Sequence, residues 1–349
     1  MFKKILVFVG LLLLVSCVRK PLYLRKDCVV DVGVTVETSA ETFWNKTWRD
    51  SLVYKWDEKK YGSIGYSEPE DITVLFFNGG EIETEMTLHS GGRKSVQLDF
   101  DKNYKVLFFN KTMTTVNYLD GDYYVETPST ETRGYIDEKY ETVFQPGEVF
   151  SLYLNNLYLS EDYGDYEVVY ENGKTVYIYN IDATIKPVSY IYIVQFIIIN
   201  DDGTDIEAKM INNFTVSGIS AKKSLFTEKS LYTGRKQIST FDIKEPQIMP
   251  DSIVFASRIT VLDLLPEREE GLAWDEYINH LYYTSIDVQT YSYGIVSGTK
   301  DITEQIKENP KGGVITVRIM NSELKAGGES GEGFGISLGE WKEHLIDVE

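Results

Sequence analysis

An all-β fold of antiparallel β-sandwich modules is the class this sequence predicts, on three observations. Its 25 Tyr and 16 Phe, set against only 9 Pro, suit pleated, half-buried surfaces. Apolar side chains recur at every second position in several stretches, the period of a strand with one face turned inward. Gly, Asn and Asp punctuate those stretches at short intervals, as connections between antiparallel strands do.

The elements follow in order. In CVVDVGVTVE (28–37), Cys28, Val30, Val32, Val34 and Val36 share one face, and Asp31, Gly33, Thr35 and Glu37 the other. This places the Cys28 thiol in an apolar core rather than at a reactive site. Residues 39–68 are polar and irregular and contain Trp44, Trp48 and Trp56. That is long for a bare loop in a compact domain and predicts a helical turn or a functional segment. DITVLFFNGG (71–80) reads as a strand ending in a turn, with EIETEMTLH as its partner. Strands at 95–100 and 104–110 flank a tight Asp-Lys-Asn turn, and residues 120–148 are turn-rich, with Pro128 and Pro146.

A hairpin is predicted over 166–181 around Asn172-Gly173. YIYIVQFIIIN (190–200) is the most apolar run beyond the N-terminal leader. It is too short to cross a bilayer as a helix, so it reads as a central strand, turned back by DDG (201–203). The best helix is LAWDEYINHLYY, where Trp274, Tyr277, Ile278 and Leu281 fall on one face. IDVQTYSYGIV and GGVITVRIM return to strand. No repeat of roughly 20–50 residues is visible, which argues against a solenoid. Size and the restart of the strand pattern predict two domains, 28–178 and 179–349.

The first residues set the compartment. Lys3 and Lys4 precede an apolar run from Ile5 to Val15, closed by Arg19 and Lys20. Such a run covers about half of a ~30 Å hydrocarbon core, so residues 1–16 read as a secretory signal. Leu14-Val15-Ser16-Cys17 resembles the bacterial lipobox. The resemblance implies lipidation of the Cys17 thiol, cleavage before Cys17 and acylation of the new amine, with 17–27 as a tether. An ordinary signal peptide with a chance Cys17 is the alternative. One acyl chain, at ~0.8 kcal/mol per buried CH₂, holds a protein only marginally, whereas two or three make a durable anchor. Val18 in place of an inner-membrane Asp favours the outer membrane, at its cell-surface or periplasmic face.

Charge and motif content exclude several classes. Losing residues 1–16 takes the formal charge from −19 to −21, which repels phosphate backbones and makes nucleic acid a poor partner. With Cys17 lipidated, Cys28 has no disulfide partner. GISLG (335–339) matches G-x-S-x-G at Ser337, but only His344 follows it, without room for a triad. His89, His280 and His344 are far apart and show no zinc spacing. Asp201, Asp202 and Asp205, like Asp120 and Asp122, read as solvated turns rather than calcium loops, and Glu267, Glu269 and Glu270 as an exposed loop. Asn45, Asn110 and Asn213 stand in N-x-T triplets that a bacterial lipoprotein would not normally use. No cofactor is expected beyond the lipid. Trp44, Trp48 and Trp56 are candidates for stacking on sugar rings, with core packing as the alternative.

Four stretches together resemble the fimbrillin-like lipoproteins of Bacteroidales, of the type V pilus kind. They are the lipobox with RKPLYLRKD and the valine-rich strand, EDITVLFFNGG, LDFDKNYKVLFFN, and a second half with FTVSGISAKKSLF, DITEQIK and GEGFGISLGEWKEH. The resemblance implies two tandem transthyretin-like (Greek-key) β-sandwich domains and a non-catalytic role as fimbrial subunit, anchor or surface adhesin. In polymerising members a cut after an Arg frees the first strand, and a strand of the next subunit fills the groove. Here the resemblance implies that this strand would be Val29–Glu37, with Arg49 in the following loop as the candidate cut site. Implied partners are the outer membrane through the lipid, other fimbrial subunits, and a host or glycan ligand. The alternative is a glycan-binding outer-membrane lipoprotein of a polysaccharide-capture system. An enzyme with a hidden carboxylate pair is a third class, which a deep acidic cleft would support.

Overall fold

The computed structural model describes residues 28–111, 115–119, 121–130, 140–160, 162–171, 173–264, 279–287 and 295–324. The first strands are β1 (Cys28–Val36), β2 (Asp71–Asn78), β3 (Glu81–His89), β4 (Arg93–Leu98), β5 (Lys102–Asn110), β6 (Thr115–Leu119), β7 (Asp122–Glu126), β8 (Glu141–Val143), β9 (Phe150–Leu159), β10 (Glu167–Glu171) and β11 (Lys174–Pro187). They continue with β12 (Tyr190–Ile199), β13 (Lys209–Ser217), β14 (Ile219–Ser220), β15 (Lys222–Ser224), β16 (Ser230–Leu231), β17 (Lys236–Thr240) and β18 (Gln247–Met249). The last are β19 (Ser252–Val261), β20 (Asp263–Leu264), β21 (His280–Asp287), β22 (Ile295–Asp301) and β23 (Gly313–Met320). Short helices are α1 (Ala40–Phe43), α2 (Trp48–Ser51), α3 (Glu58–Tyr61) and α4 (Thr303–Glu308). The regular structure of the described residues is almost all β, as the composition predicts.

β3-β2-β5-β9-β11-β1-β4 form one sheet, with β10 also on β11. Among the described residues, its halves are joined where Lys186 and Pro187 of β11 pair with Ser151 and Phe150 of β9. They face each other across a common core, giving a sandwich. Val30, Val32 and Val34 from one half meet Val74, Val106 and Phe108 from the other. The inward face of β1 is thus the one the alternation predicts, and Cys28 is fully buried on it. The second sandwich sets β18-β19-β12-β23 against β22-β21-β13-β17-β8.

β12 is central, as its composition predicts. Ile191, Ile193 and Ile197 face the first core, and Val194, Phe196 and Ile198 face the second. A strand covered on both sides needs no polar alternation, which accounts for its unbroken apolar run. The same reasoning covers β2 and β5. Val74 and Phe108 point into the first core, while Leu75, Phe77, Leu107 and Phe109 pack beneath Tyr123 and Val125 of β7.

Several features differ from the expectation. Three pairings are parallel: β1 with β11, β12 with β23 and β17 with β8. Each joins strands distant in sequence, where no hairpin enforces an antiparallel sense. The strands flanking Asp-Lys-Asn do not pair with each other. β4 joins β1 and β5 joins β2 and β9, so that turn passes between the two halves of the sandwich. Residues 201–203 likewise carry the chain from one sheet of the second sandwich to the other. Trp274, Tyr277 and Ile278 of the predicted helix lie outside the described residues. Its end, Leu281 to Tyr283, is strand β21, correcting the helix there. Leu281 and Tyr283 both point inward and pair with β13 and β22, so two-residue alternation prevails over the apparent helical spacing. The hairpin at 166–181 is present as β10 and β11, with Gly173 at φ 79°.

The halves of the chain interlock. β7 pairs with β15, and β8 pairs with β17. β11 runs through residue 179 and keeps its pairing with β1 to Ile185; β12 opens the next sheet at Tyr190.

Candidate functional site

The site the sequence points to is β1 and the segment after it. β1 pairs in parallel with β11 from Cys28↔Tyr177 to Val36↔Ile185, and antiparallel with β4 from Cys28↔Leu98 to Gly33↔Arg93. It is therefore hydrogen-bonded on both flanks. Cys28, Val30, Val32 and Val34 bury their side chains in the core. Burial pushes the Cys28 thiol up to about 12.

On the outer face Arg93 reaches across β1. Its Nε donates to Asp31 Oδ2 at 2.8 Å, Nη1 to Asp182 at 2.5 Å and Nη2 to Asn180 Oδ1 at 3.2 Å. The bonds to Asp31 and then Asp182 raise the Arg93 pKa, Asp31 contributing most. Gly33 makes the crossing possible, because a Cβ there would lie 2.6 Å from Arg93 Nη1. The glycine on the outer, polar face of the valine alternation is thus the floor of this clasp.

Residues 39–66 leave β1 as α1, α2 and α3, the helical turns the length of the segment predicts. Asp57 caps α3 by accepting from Lys59 N and Lys60 N. The three tryptophans do not form one platform. Trp44 is buried in the first core, with Trp48 edge-on to it at 5.0 Å between ring centres. Arg49 lies over the Trp48 ring at 5.1 Å. Trp56 packs edge-on against Tyr54 and Tyr61, and its Nε1 donates to Gly62 O at 2.9 Å. Arg49 itself stands on α2 with 69% of its side chain exposed and pairs with Glu41, whose carboxyl it holds below the usual range.

Downstream of Arg49 the chain is held by glutamine side chains. Gln195, fully buried in the middle of β12, accepts from Val53 N at 2.9 Å and Tyr54 N at 3.3 Å. Its Nε2 donates to Ser51 O at 2.7 Å and Thr316 Oγ1 at 2.8 Å. Gln247 on β18 accepts from Lys55 N and donates to Lys55 O, both at 2.8 Å. Tyr54 Oη donates to Glu245 O at 2.9 Å. Arg258 on β19 donates to Gly65 O at 2.9 Å and pairs with Glu148. Sequence reasoning missed Gln195, although a polar residue inside an apolar run was a visible sign.

An acidic cleft of about 530 Å³ is lined by Glu68, Glu70, Asp71 and Glu148 with Lys111 and Asn110. Three of its carboxylates already meet donors: Glu148 meets Arg258 and Ser67 N, Glu68 meets Ser90 Oγ, and Asp71 lies 2.7 Å from His89 Nδ1. Asp201 accepts from Ser322, and Asp202 from Thr204 and Asn321, in a turn-closing network. No group of three or more His, Cys, Asp or Glu able to hold a metal occurs among the described residues, and no helix there is long and apolar enough to cross a membrane. Cys17, Asp120, Glu267, Glu269, Glu270, Ser337 and His344 lie outside the described residues.

No protein-family model matches the chain, and no curated protein does. Among solved structures, a candidate adhesin from Bacteroides ovatus is similar at 14% identity, covering 83% of this chain and 92% of its own, with a TM-score of 0.47. The fimbrial anchor protein Mfa2 from Porphyromonas gingivalis is similar at 10% identity, covering 84% and 91%, with a TM-score of 0.39. A candidate polysaccharide-binding protein from Bacteroides thetaiotaomicron is similar at 6% identity, covering 86% and 94%, with a TM-score of 0.46.

Proposed function

We propose that this is a non-catalytic, lipid-anchored cell-envelope protein that works by strand-based assembly or adhesion, as a fimbrial subunit, fimbrial anchor or related surface adhesin. One observation carries the reading: β1 is paired on both flanks, fills the core with four side chains, and is followed by an exposed Arg49. A strand in that position can leave only if another takes its place, because the slot would otherwise expose apolar side chains and two rows of unpaired backbone groups. The lipobox supports an anchor at Cys17 to the outer membrane, and this would set the protein at the cell surface or the periplasmic face. Strand addition supplies affinity through backbone hydrogen bonds and selectivity through alternate side chains, without catalytic groups.

Two experiments test it. Cys17→Ala should move the protein from the membrane fraction to the soluble fraction and abolish palmitate labelling; retained tight membrane association contradicts the anchor. Deleting residues 28–37 should yield oligomers or aggregates on sedimentation; an unchanged, stable monomer contradicts the exchangeable strand.

A further inference from the structure

We infer that Gln195 and Gln247 form a retention clamp, which keeps the segment downstream of Arg49 docked on the second sandwich independently of the chain before it. The inference rests on the proposed cut after Arg49 for its use, though the clamp itself is present in the uncut chain.

The hydrogen bonds divide at that point. The main-chain amides of Asp50, Ser51 and Leu52 donate back to Thr47 O, Thr47 O and Trp48 O, at 3.0, 3.1 and 3.0 Å. All three bonds span the bond after Arg49 and depend on α2 remaining whole. The next three amides, of Val53, Tyr54 and Lys55, donate instead to glutamine side chains, two to Gln195 and one to Gln247. These acceptors belong to β12 and β18, more than 140 residues later in sequence. Gln195 completes the arrangement by donating to Ser51 O, and Gln247 by donating to Lys55 O. An amide side chain offers a donor and an acceptor as a peptide group does, so each glutamine acts as a one-residue strand partner.

A cut after Arg49 would therefore sever the α2 bonds and leave the clamp intact. β1 would then be held by its strand pairing, its core packing and the Arg93 clasp on Asp31, while the new N-terminus stayed in place. Loss of the segment together with β1 would uncover Gln195, a buried amide with four satisfied bonds, at considerable cost. The clamp confines the loosened part of the chain to the residues before the cut.

The test is amide hydrogen exchange on the chain before and after treatment with an Arg-specific protease, with the cut located by mass. In the treated wild-type chain, residues 50–52 should lose protection while 53–55 keep it. In Gln195→Leu and Gln247→Ala, residues 53–55 should exchange about tenfold faster, even uncut. Gln247 lies on a short edge strand, so its variant keeps the test free of core damage, with unchanged protection in β12 as the control. Loss of protection at 53–55 along with 50–52 in the wild type, or no effect of either substitution, overturns the clamp. Failure of the protease to cut after Arg49 overturns the cut-site reading instead, and the uncut variants then decide the clamp.

Discussion

The Lys223 ammonium lies 2.8 Å from Asp263 Oδ2, buried in the seam where the first sandwich passes into the second. It also donates to Val188 O at 3.0 Å and Tyr190 Oη at 3.1 Å, and sits over the Tyr190 ring. Burial works against its charge; the Asp263 carboxylate and Tyr190 outweigh this and hold the Lys223 pKa above its ordinary value. One side chain thus ties β15 and β20 to the segment joining β11 and β12.

Lys223→Met should cost about 3 kcal/mol in urea unfolding, because it removes a buried cation together with its ion pair to Asp263 and its hydrogen bond to Val188 O. Adding Asp263→Asn should restore part of that loss. The pH sign follows from the raised pKa. The Lys223 contribution is complete below the unfolded value of about 10.4 and is lost as pH rises through the folded value. A Lys223→Met chain unfolding within about 0.5 kcal/mol of wild type would remove the tie from the account.

Cys28 and Tyr104 make the fold sensitive to alkali. Burial raises both groups to about 12, against reference values near 8.5 and 10. Their neutral forms favour the folded state, so stability is complete below the reference values and falls as pH climbs toward 12. In a Cys17→Ala background, Cys28 should resist a thiol reagent in the native protein and react at once in urea. Prompt reaction without denaturant would mean that β1 opens readily.

Gly312 has φ +100°, and a Cβ there would lie 2.3 Å from Ile191 O and 2.7 Å from Trp44 Nε1. Gly312→Ala should therefore cost about 3 kcal/mol or more, since backbone atoms have little freedom to move away. Gly79, at φ +63° with open space around it, is the control and should cost only about 1–2 kcal/mol as Ala. Equal losses at the two positions in thermal unfolding would rule out close packing of the Trp44 segment against this turn.

Gln305 guards the edge of β23. It accepts from Thr316 N at 2.7 Å and donates to Thr316 O at 3.0 Å, where a neighbouring strand would otherwise bond. Gln305→Ala should cost about 1–2 kcal/mol and promote self-association, because an edge with free donors and acceptors recruits other strands. Analytical ultracentrifugation reads this directly; a fully monomeric variant at high concentration contradicts the guarding role.

What was legible in the sequence was local. The alternation of β1 fixed its inner face, and the unbroken apolar run of β12 signalled cover on both sides. The Gly173 turn marked its hairpin. Long-range pairings left no such trace. Nothing near Lys55 announces Gln247, and nothing near β7 announces β15, because a pairing between segments so distant in sequence imposes no local periodicity. Leu281 fits the helical spacing of positions 274, 277 and 278 as well as strand alternation with Tyr283, and the sheet around it decided between the two. Lys223 was illegible for another reason: a lysine is ordinarily exposed, and only the fold brings Asp263 to it. The tryptophans were visible as a group, but their division between the buried Trp44 and the Trp56 cluster depends on where α1 and α3 settle.

The most direct measurement concerns the slot between β11 and β4. A chain beginning at Asp50 should bind a synthetic peptide of residues 28–49, which carries β1 and the buried Trp44, with one-to-one stoichiometry in calorimetry and regain the thermal stability of the full-length protein. A truncated chain that is already as stable as the full-length protein, and takes up no peptide, would contradict the exchangeable strand on which the account rests.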